Sequence, residues 1–403
     1  MRILFYSFIF VILIATILFC QSLDNNKRLQ SYGKVLSEQG KEPLDFIIDK
    51  IQNHDLIIFD DALHTAVEPF EFYQELIKTP SFFNTVNYIF LEVLSINKQQ
   101  HIDTYYASEP ENIELLYPAF QDDVNGTGWA YKTYFDLLHT IYILNKTLPE
   151  DQRLKVIAVS NPTYWSEIKT VKDLELFQKS MGSYDFVMYK TIALEMDNFE
   201  KDKKGVFFTN TRHAYKGIKN KKNKLYWNTG TFFHQWHPDK TYSVRFHNVQ
   251  LLIEKKETIV FLWGRIGGGI WDNAFEVFGN KPVAISLKDN VFGQESYVGN
   301  HMLNVAPNQS MYDAYDALIF LGPLEKMQKT AIVDFIYTKE YMKELERRYP
   351  ILFSEEELKK QFEDYGVNTL NDLIEKSFIA EPQRLLPQAK SIVPIDAWKK
   401  DEK

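Results

Sequence analysis

Short apolar runs alternate with longer amphipathic stretches over residues 41–325, and this rhythm predicts an α/β fold: a mostly parallel central sheet flanked by helices. The runs that read as strands are Leu56–Phe59, Tyr88–Leu91, Leu154–Val159, Val206–Thr209, Tyr242–Phe246, Thr258–Trp263, Pro282–Leu287 and Ala317–Leu321. Between the first two, Val67, Phe70, Tyr73, Leu76 and Ile77 share one helical face, while Glu68, Glu71, Glu75 and Lys78 lie off it. Thr65 followed by Glu68 has the spacing of a capping box, and Pro69 is tolerated in the first turn because its missing amide has no intrahelical acceptor. Further helices are expected over Trp129–Leu144 and over Val171–Phe199, the latter broken at Gly182. Past Glu325 the strand rhythm gives way to charged helical sequence with a second capping-box pattern, Ser354 to Glu357, so residues 326–403 read as a C-terminal helical extension.

The N-terminus departs from this pattern. Ile3 to Cys20 is almost wholly apolar behind Met1-Arg2, the layout of an export signal or an N-terminal anchor over residues 1–22, and either places the folded part outside the cytoplasm: periplasmic, secreted or membrane-anchored. Residues 23–40 are polar and read as a tether. Cys20 is the single cysteine, so the rest of the chain has no internal disulfide and no thiolate metal site. Acidic residues outnumber basic ones, 54 to 46, and no Lys/Arg stripe with interleaved aromatics appears; nucleic acid is therefore not an expected partner, and a membrane is expected only through the N-terminal segment. The run Lys219 to Lys224 reads as a solvated loop.

Polar residues collect where the predicted strands end: Asp60, Asp61 and His64 after the first; Glu92 after "YIFL"; Ser160 and Asn161; and Asn210, Arg212 and His213. In open α/β sheets ligands gather outside the carboxyl ends of the strands, because loops and helix N-termini converge there. A charge at the position of Glu92, on the rim of a buried strand, needs a partner. Two chemistries suit the set. A histidine oriented by a carboxylate takes a proton from water while an arginine meets developing negative charge, or Asp61, His64, Glu92 and His213 hold a divalent metal. Spacing alone does not separate them, and a rim histidine can also simply satisfy backbone groups.

The turn "DDALHT" resembles the G-E-A-T-H-G motif of erythromycin esterases, and "IFLEV" is similar to their next strand, which ends in an active-site glutamate. "VFFTNTRHAYKG" resembles the later strand-and-histidine motif shared with ChaN-like haem-binding lipoproteins and Tiki-type metalloproteases, and "KTYSVRF" resembles the strand that follows. The resemblance spans residues 50–325 as dispersed short matches. It implies an exported hydrolase of a small-molecule ester, lactone or peptide, or a protein that binds haem or a metal without turnover, or a catalytically degenerate member. His64 would activate water or act as a ligand, Asp61 would replace the motif glutamate, Glu92 would be the second-strand acid and His213 the later histidine. Asp60 stands at the motif glycine, a turn position that often needs unusual backbone freedom. Where the family tends to have an Arg-Asp pair, this chain has Tyr184-Asp185.

Other stretches carry less. "GRIGGGIWDN" (264–273) lacks the Walker lysine and serine and reads as a flexible loop whose Arg265 could reach an anionic group; Asn210, Arg212 and Arg265 are the candidate substrate-binding residues. "HQWHP" reads as a surface aromatic cluster. The aromatics Tyr105, Tyr106, Tyr117, Phe120, Trp129, Tyr131 and Tyr134 fall in a helical insertion between the second and third strands and are mostly core. There is no Gly-x-Ser-x-Gly elbow and no His-Glu-x-x-His, which excludes the common serine hydrolases and the zincins.

Overall fold

The structure is a computed structural model that describes residues 27–62, 64–255, 259–297 and 305–378. The predicted export signal or anchor and Cys20 lie outside the described residues.

Seven strands form the main sheet: β1 (Leu56–Asp60), β2 (Tyr88–Ser95), β3 (Lys155–Ser160), β4 (Gly205–Thr209), β5 (Thr241–Phe246), β8 (Val283–Ser286) and β9 (Ala317–Phe320). Their order across the sheet is β3-β2-β4-β1-β5-β9-β8, parallel except for β8, which runs antiparallel to β9. β1 and β4 are buried throughout, as strands covered on both faces must be, so they read as continuous apolar runs. Alternate side chains still serve opposite layers. Ile57 and Phe59 join the core under the helices Val67–Lys78 and Lys132–Thr147, whereas Leu56 and Ile58 join the other core with Phe207, Ile285 and Leu318. Phe59 is fully buried among Phe72, Tyr73, Phe208 and Phe246, an arrangement that stabilises by about 2–3 kcal/mol through the area it removes from water.

Four sequence expectations change. The predicted strand Thr258–Trp263 appears as β7 (Ile259–Gly264), paired antiparallel with β6 (Gln250–Lys255) in a separate two-stranded sheet; the apolar run marked a strand, but not which sheet would take it. Residues 27–39 of the expected tether are helical, with Tyr32, Val35 and Leu36 buried, because these three positions supply an apolar stripe at helical spacing. Thr65 and Glu68 form no capping box: the helix Val67–Lys78 has Ala66 as its N-cap, and the chain just before it pairs with residues 328–330 instead. Glu68 Oε1 accepts the Gln328 amide at 2.9 Å. Glu92 lies inside β2 rather than at its end, since the strand runs on to Ser95.

The break at Gly182 appears as expected, between the helices Val171–Ser180 and Tyr184–Glu195. So does the Ser354–Glu357 capping box, at the start of the helix Glu355–Tyr365. The helix Lys339–Leu352 docks on the domain through Arg348, buried with its guanidinium 2.5 Å from Asp122 and 3.0 Å from the Gln121 carbonyl oxygen.

Candidate functional site

Strand order decides which polar ends meet. β4 lies between β2 and β1, so the carboxyl ends of the first, second and fourth strands in sequence are side by side, about 5 Å apart between neighbours. β4 pairs with β2 only as far as Leu91 opposite Phe208, and the pairing of β2 with β3 shifts register between Leu91 and Ser95. Glu92 falls where the ladder opens. Its Oε2 accepts the Asn210 amide at 3.1 Å and the Thr209 hydroxyl, so the side chain takes over bonds that the backbone has released.

The turn after β1 is built by its own aspartates. Asp60 Oδ1 accepts the Ala62 amide at 2.8 Å, and Asp61 Oδ1 accepts the His64 amide at 2.9 Å. These bonds hold Ala62 (φ 67°) and His64 (φ 58°) in the left-handed region, which costs an L-residue about 1–2 kcal/mol. Strain therefore falls on Ala62 and His64, not on Asp60, which is the last residue of β1. Asp60 has a different burden, being a fully buried carboxylate. Across the β1–β5 register Arg245 answers it at 3.0 Å, and Thr211 donates to it at 2.9 Å.

Asp61, His64, Glu92 and His213, the four residues expected to act together, do converge, and Asp185 completes the row. His64 Nδ1 is 2.8 Å from Asp61 Oδ2, and His64 Nε2 is 3.2 Å from Glu92 Oε2. His213 Nε2 is 3.2 Å from Glu92 Oε1, and His213 Nδ1 is 2.7 Å from Asp185 Oδ1. Five side chains thus alternate carboxylate and imidazole, with Glu92 in the middle. Asp185 is fixed in turn by the amide and hydroxyl of Thr229, at 2.8 and 2.9 Å. Tyr134 brings its hydroxyl to 2.9 Å from His64 Nδ1, and the Trp129 ring meets the His64 ring edge-on. Asn210 Nδ2 lies 3.0 Å from His64 Nε2. Tyr134 was not legible as a site residue, since a tyrosine among core aromatics has an ordinary local explanation; Asp185 carried one signal, its place at the aspartate of the family's Arg-Asp pair, but an acid in the first turn of a helix is ordinary too.

Burial alone would lower both imidazoles, but the carboxylates on either side outweigh it. Asp61 and Glu92 raise His64 to about 10, and Glu92 and Asp185 raise His213 to about 10. Burial pushes the Glu92 carboxyl up, yet His213 and His64 hold it well below the usual range. Burial also raises Asp61, against the pull of His64. We place the proton of that pair on the imidazole, since Glu92 favours the cation from the other side. At neutral pH the row then holds two imidazolium ions among three carboxylates, leaving one net negative charge. His64 Nε2 has partners that ask for opposite states, because Glu92 favours a proton there while the Asn210 amide favours a lone pair. The first prevails in the resting cluster.

As a metal site the donors do not fit. Each of the four ring nitrogens of His64 and His213 already faces a carboxylate oxygen at hydrogen-bond distance, and among the described residues no group of three or more His, Cys, Asp or Glu side chains is arranged to hold a metal ion. Axial ligation of haem meets the same obstacle, since it needs a free ring nitrogen. Of the other candidates, Arg212 is exposed and precedes His213 in the short helix Thr211–Ala214, and Asn210 is half-buried against the cluster. Arg265 is bound to Asp272 at 2.9 Å and to Glu325. Ser160 lies 2.6 Å from the Tyr184 hydroxyl, and Asn161 is buried behind it. A cavity lined by Asp334, Phe335, Tyr337, Met342, Ile374 and Glu375 shares no residue with the cluster.

No protein-family model matches the chain, and neither does any curated protein sequence. Solved structures do. A Bacillus cereus protein matches at 12% identity over 73% of this chain and 97% of its own, with a TM-score of 0.50. A succinoglycan biosynthesis protein matches at 9% identity over 76% of this chain and 98% of its own, with a TM-score of 0.53. A mutant erythromycin esterase in its open conformation matches at 8% identity over 71% of this chain and 97% of its own, with a TM-score of 0.47. At 12% and 9% identity the first two likenesses show a shared fold and nothing finer.

Proposed function

We propose that this chain is an exported hydrolase of the erythromycin esterase type, acting on a small-molecule ester, lactone or peptide, with His64 and His213 moving protons about the shared carboxylate of Glu92. The observation that carries this reading is the unbroken row Asp61, His64, Glu92, His213, Asp185 at 2.7–3.2 Å. Stability does not call for such a row, since buried ion pairs do no better than well-packed apolar side chains. Catalysis does. A carboxylate on the far nitrogen of each ring fixes its orientation and supports its charge, while both near nitrogens face Glu92, so a proton taken from water reaches a ring by way of that shared carboxylate and returns the same way to the leaving group.

His64 acts as a base only when neutral, so turnover should climb as pH rises toward about 10. A screen on esters, lactones and peptides across pH, repeated with His64→Ala and Glu92→Ala, tests the proposal. Turnover and binding left intact in both variants would remove these residues from the chemistry. Stoichiometric uptake of haem or metal with no turnover would make the chain a binding protein instead.

A further inference from the structure

Away from the strand ends, the helices Tyr184–Glu195 and Thr229–Trp236 pack side by side and carry aromatic rings that the core does not absorb. Trp227 and Trp236 are each 49% exposed and Phe186 is 41% exposed, far beyond ordinary buried aromatics. They form one surface. The Trp227 and Trp236 ring centroids are 6.0 Å apart, Phe186 and Trp236 are 6.3 Å apart, and Phe232 lies beneath at 5.0 Å from Trp236. Along the first helix Phe186, Lys190 and Leu194 recur every fourth residue and all three are exposed, so one helical face presents two apolar side chains with a lysine between them. A contiguous patch of this kind marks an interaction surface, whereas a single exposed apolar side chain does not.

Its charge says what it meets. From Lys219 to Trp236 the sequence has four lysines, at 219, 221, 222 and 224, and no acidic residue, in a chain whose formal net charge is -8. All four are exposed, and among the described residues none is in an ion pair. They ride on an ordered turn: Lys219 pairs with Leu225, and Asn220 Oδ1 accepts the amides of Lys222 and Lys224 at 2.9 and 3.1 Å. Trp227 follows within three residues.

We propose that this face docks on the surface of a membrane that carries anionic lipid. Tryptophan and phenylalanine rings fill the zone between headgroups and acyl chains, while lysine stems reach from it to the phosphates. Lysines in place of arginines suit a fluid array of phosphates, because a point charge on a flexible stem needs no fixed bidentate partner. The apolar run Ile3 to Cys20 can bring the chain to a bilayer but does not choose the face that lies against it. The aromatic and basic surface does, and its Phe186 shares the first turn of one helix with Asp185, the last acid of the imidazole–carboxylate row.

The test uses the full chain with vesicles of phosphatidylcholine alone and of equal parts phosphatidylcholine and phosphatidylglycerol. Lipids brominated near the headgroup should quench tryptophan emission on the anionic vesicles, and the Trp227→Phe, Trp236→Phe double variant should lose that quenching. The Lys221→Gln, Lys222→Gln, Lys224→Gln variant should bind anionic vesicles about a hundredfold more weakly at low salt wherever this face carries the binding, with binding to neutral vesicles unchanged. Absence of headgroup-depth quenching in the parent chain overturns the proposal, even where the N-terminal run holds all of the protein on the vesicles. So does a lysine variant whose tryptophans are quenched on anionic vesicles as strongly as the parent's. Displacement from the vesicles by a soluble acidic protein that quenches neither tryptophan would assign the surface to that class of partner instead.

Discussion

Glu92→Gln tests the cluster most directly. Glutamine keeps the shape and an acceptor for the Thr209 hydroxyl and the Asn210 amide, but it removes the charge that His64 and His213 share at 3.2 Å each. In the parent chain both imidazoles are raised from an ordinary value of 6.5 to about 10. A raised group contributes stability that is complete below its unfolded value and is lost as pH rises through its folded value. Between about pH 6.5 and 10 the native state binds more protons than the unfolded state, so stability should fall with rising pH by about 1.4 kcal/mol per unit for each imidazole held charged. The slope counts protons, so where both rings are charged it reaches about 2.7 kcal/mol per unit, and the carboxylate they share couples the pH at which each lets its proton go rather than the slope itself. Removing Glu92 strands two buried rings with one carboxylate each, and the loss should be about 3–5 kcal/mol near pH 6. The difference between parent and variant should shrink as pH approaches 10, where the parent's rings also lose their protons. Glu92 itself is depressed by the two rings, so its own contribution is present above the ordinary carboxylate range and disappears in acid. Urea unfolding of both chains at intervals from pH 5 to pH 10 measures the two curves. A parent stability that stays flat from pH 7 to pH 9, or a constant gap between the curves, would refute the charged row.

Three further outcomes follow from the same structure. Asp185→Asn should lower the titration of His213, whose Nδ1 it faces at 2.7 Å, and NMR of the imidazole protons should show His213 shifting more than His64. Arg245→Met should destabilise by about 3–5 kcal/mol by leaving Asp60 buried and unpaired, whereas pairing it with Asp60→Leu should recover much of that; thermal unfolding of the single and double variants reads the difference. Arg348→Ala should free the helix Lys339–Leu352 from Asp122 and the Gln121 carbonyl oxygen, visible as faster proteolysis after residue 330 with the imidazole row unchanged.

The sequence by itself determined a great deal. β1, β2, β3, β4 and β9 were legible because a parallel strand covered on both faces reads as a mostly apolar run, β5 because Tyr242, Val244 and Phe246 alternate with polar residues, and the helix after β1 because its apolar positions recur at helical spacing. Asp61, His64, Glu92 and His213 could be named as one set because each follows such a run within a few residues. What tertiary structure alone decided is how they touch. The insertion of β4 between β1 and β2 makes Glu92 the centre of the row, and no local pattern encodes which strand lies beside which. Asp185 joined the site from 28 residues before His213, and Arg245 answered Asp60 across a strand register, since contacts between distant segments depend on docking rather than on composition. The turn was likewise settled in three dimensions: Thr65 and Glu68 had the spacing of a cap, but pairing with residues 328–330 satisfied the backbone first. Local physics chose the elements and their chemistry, and long-range packing chose the partners.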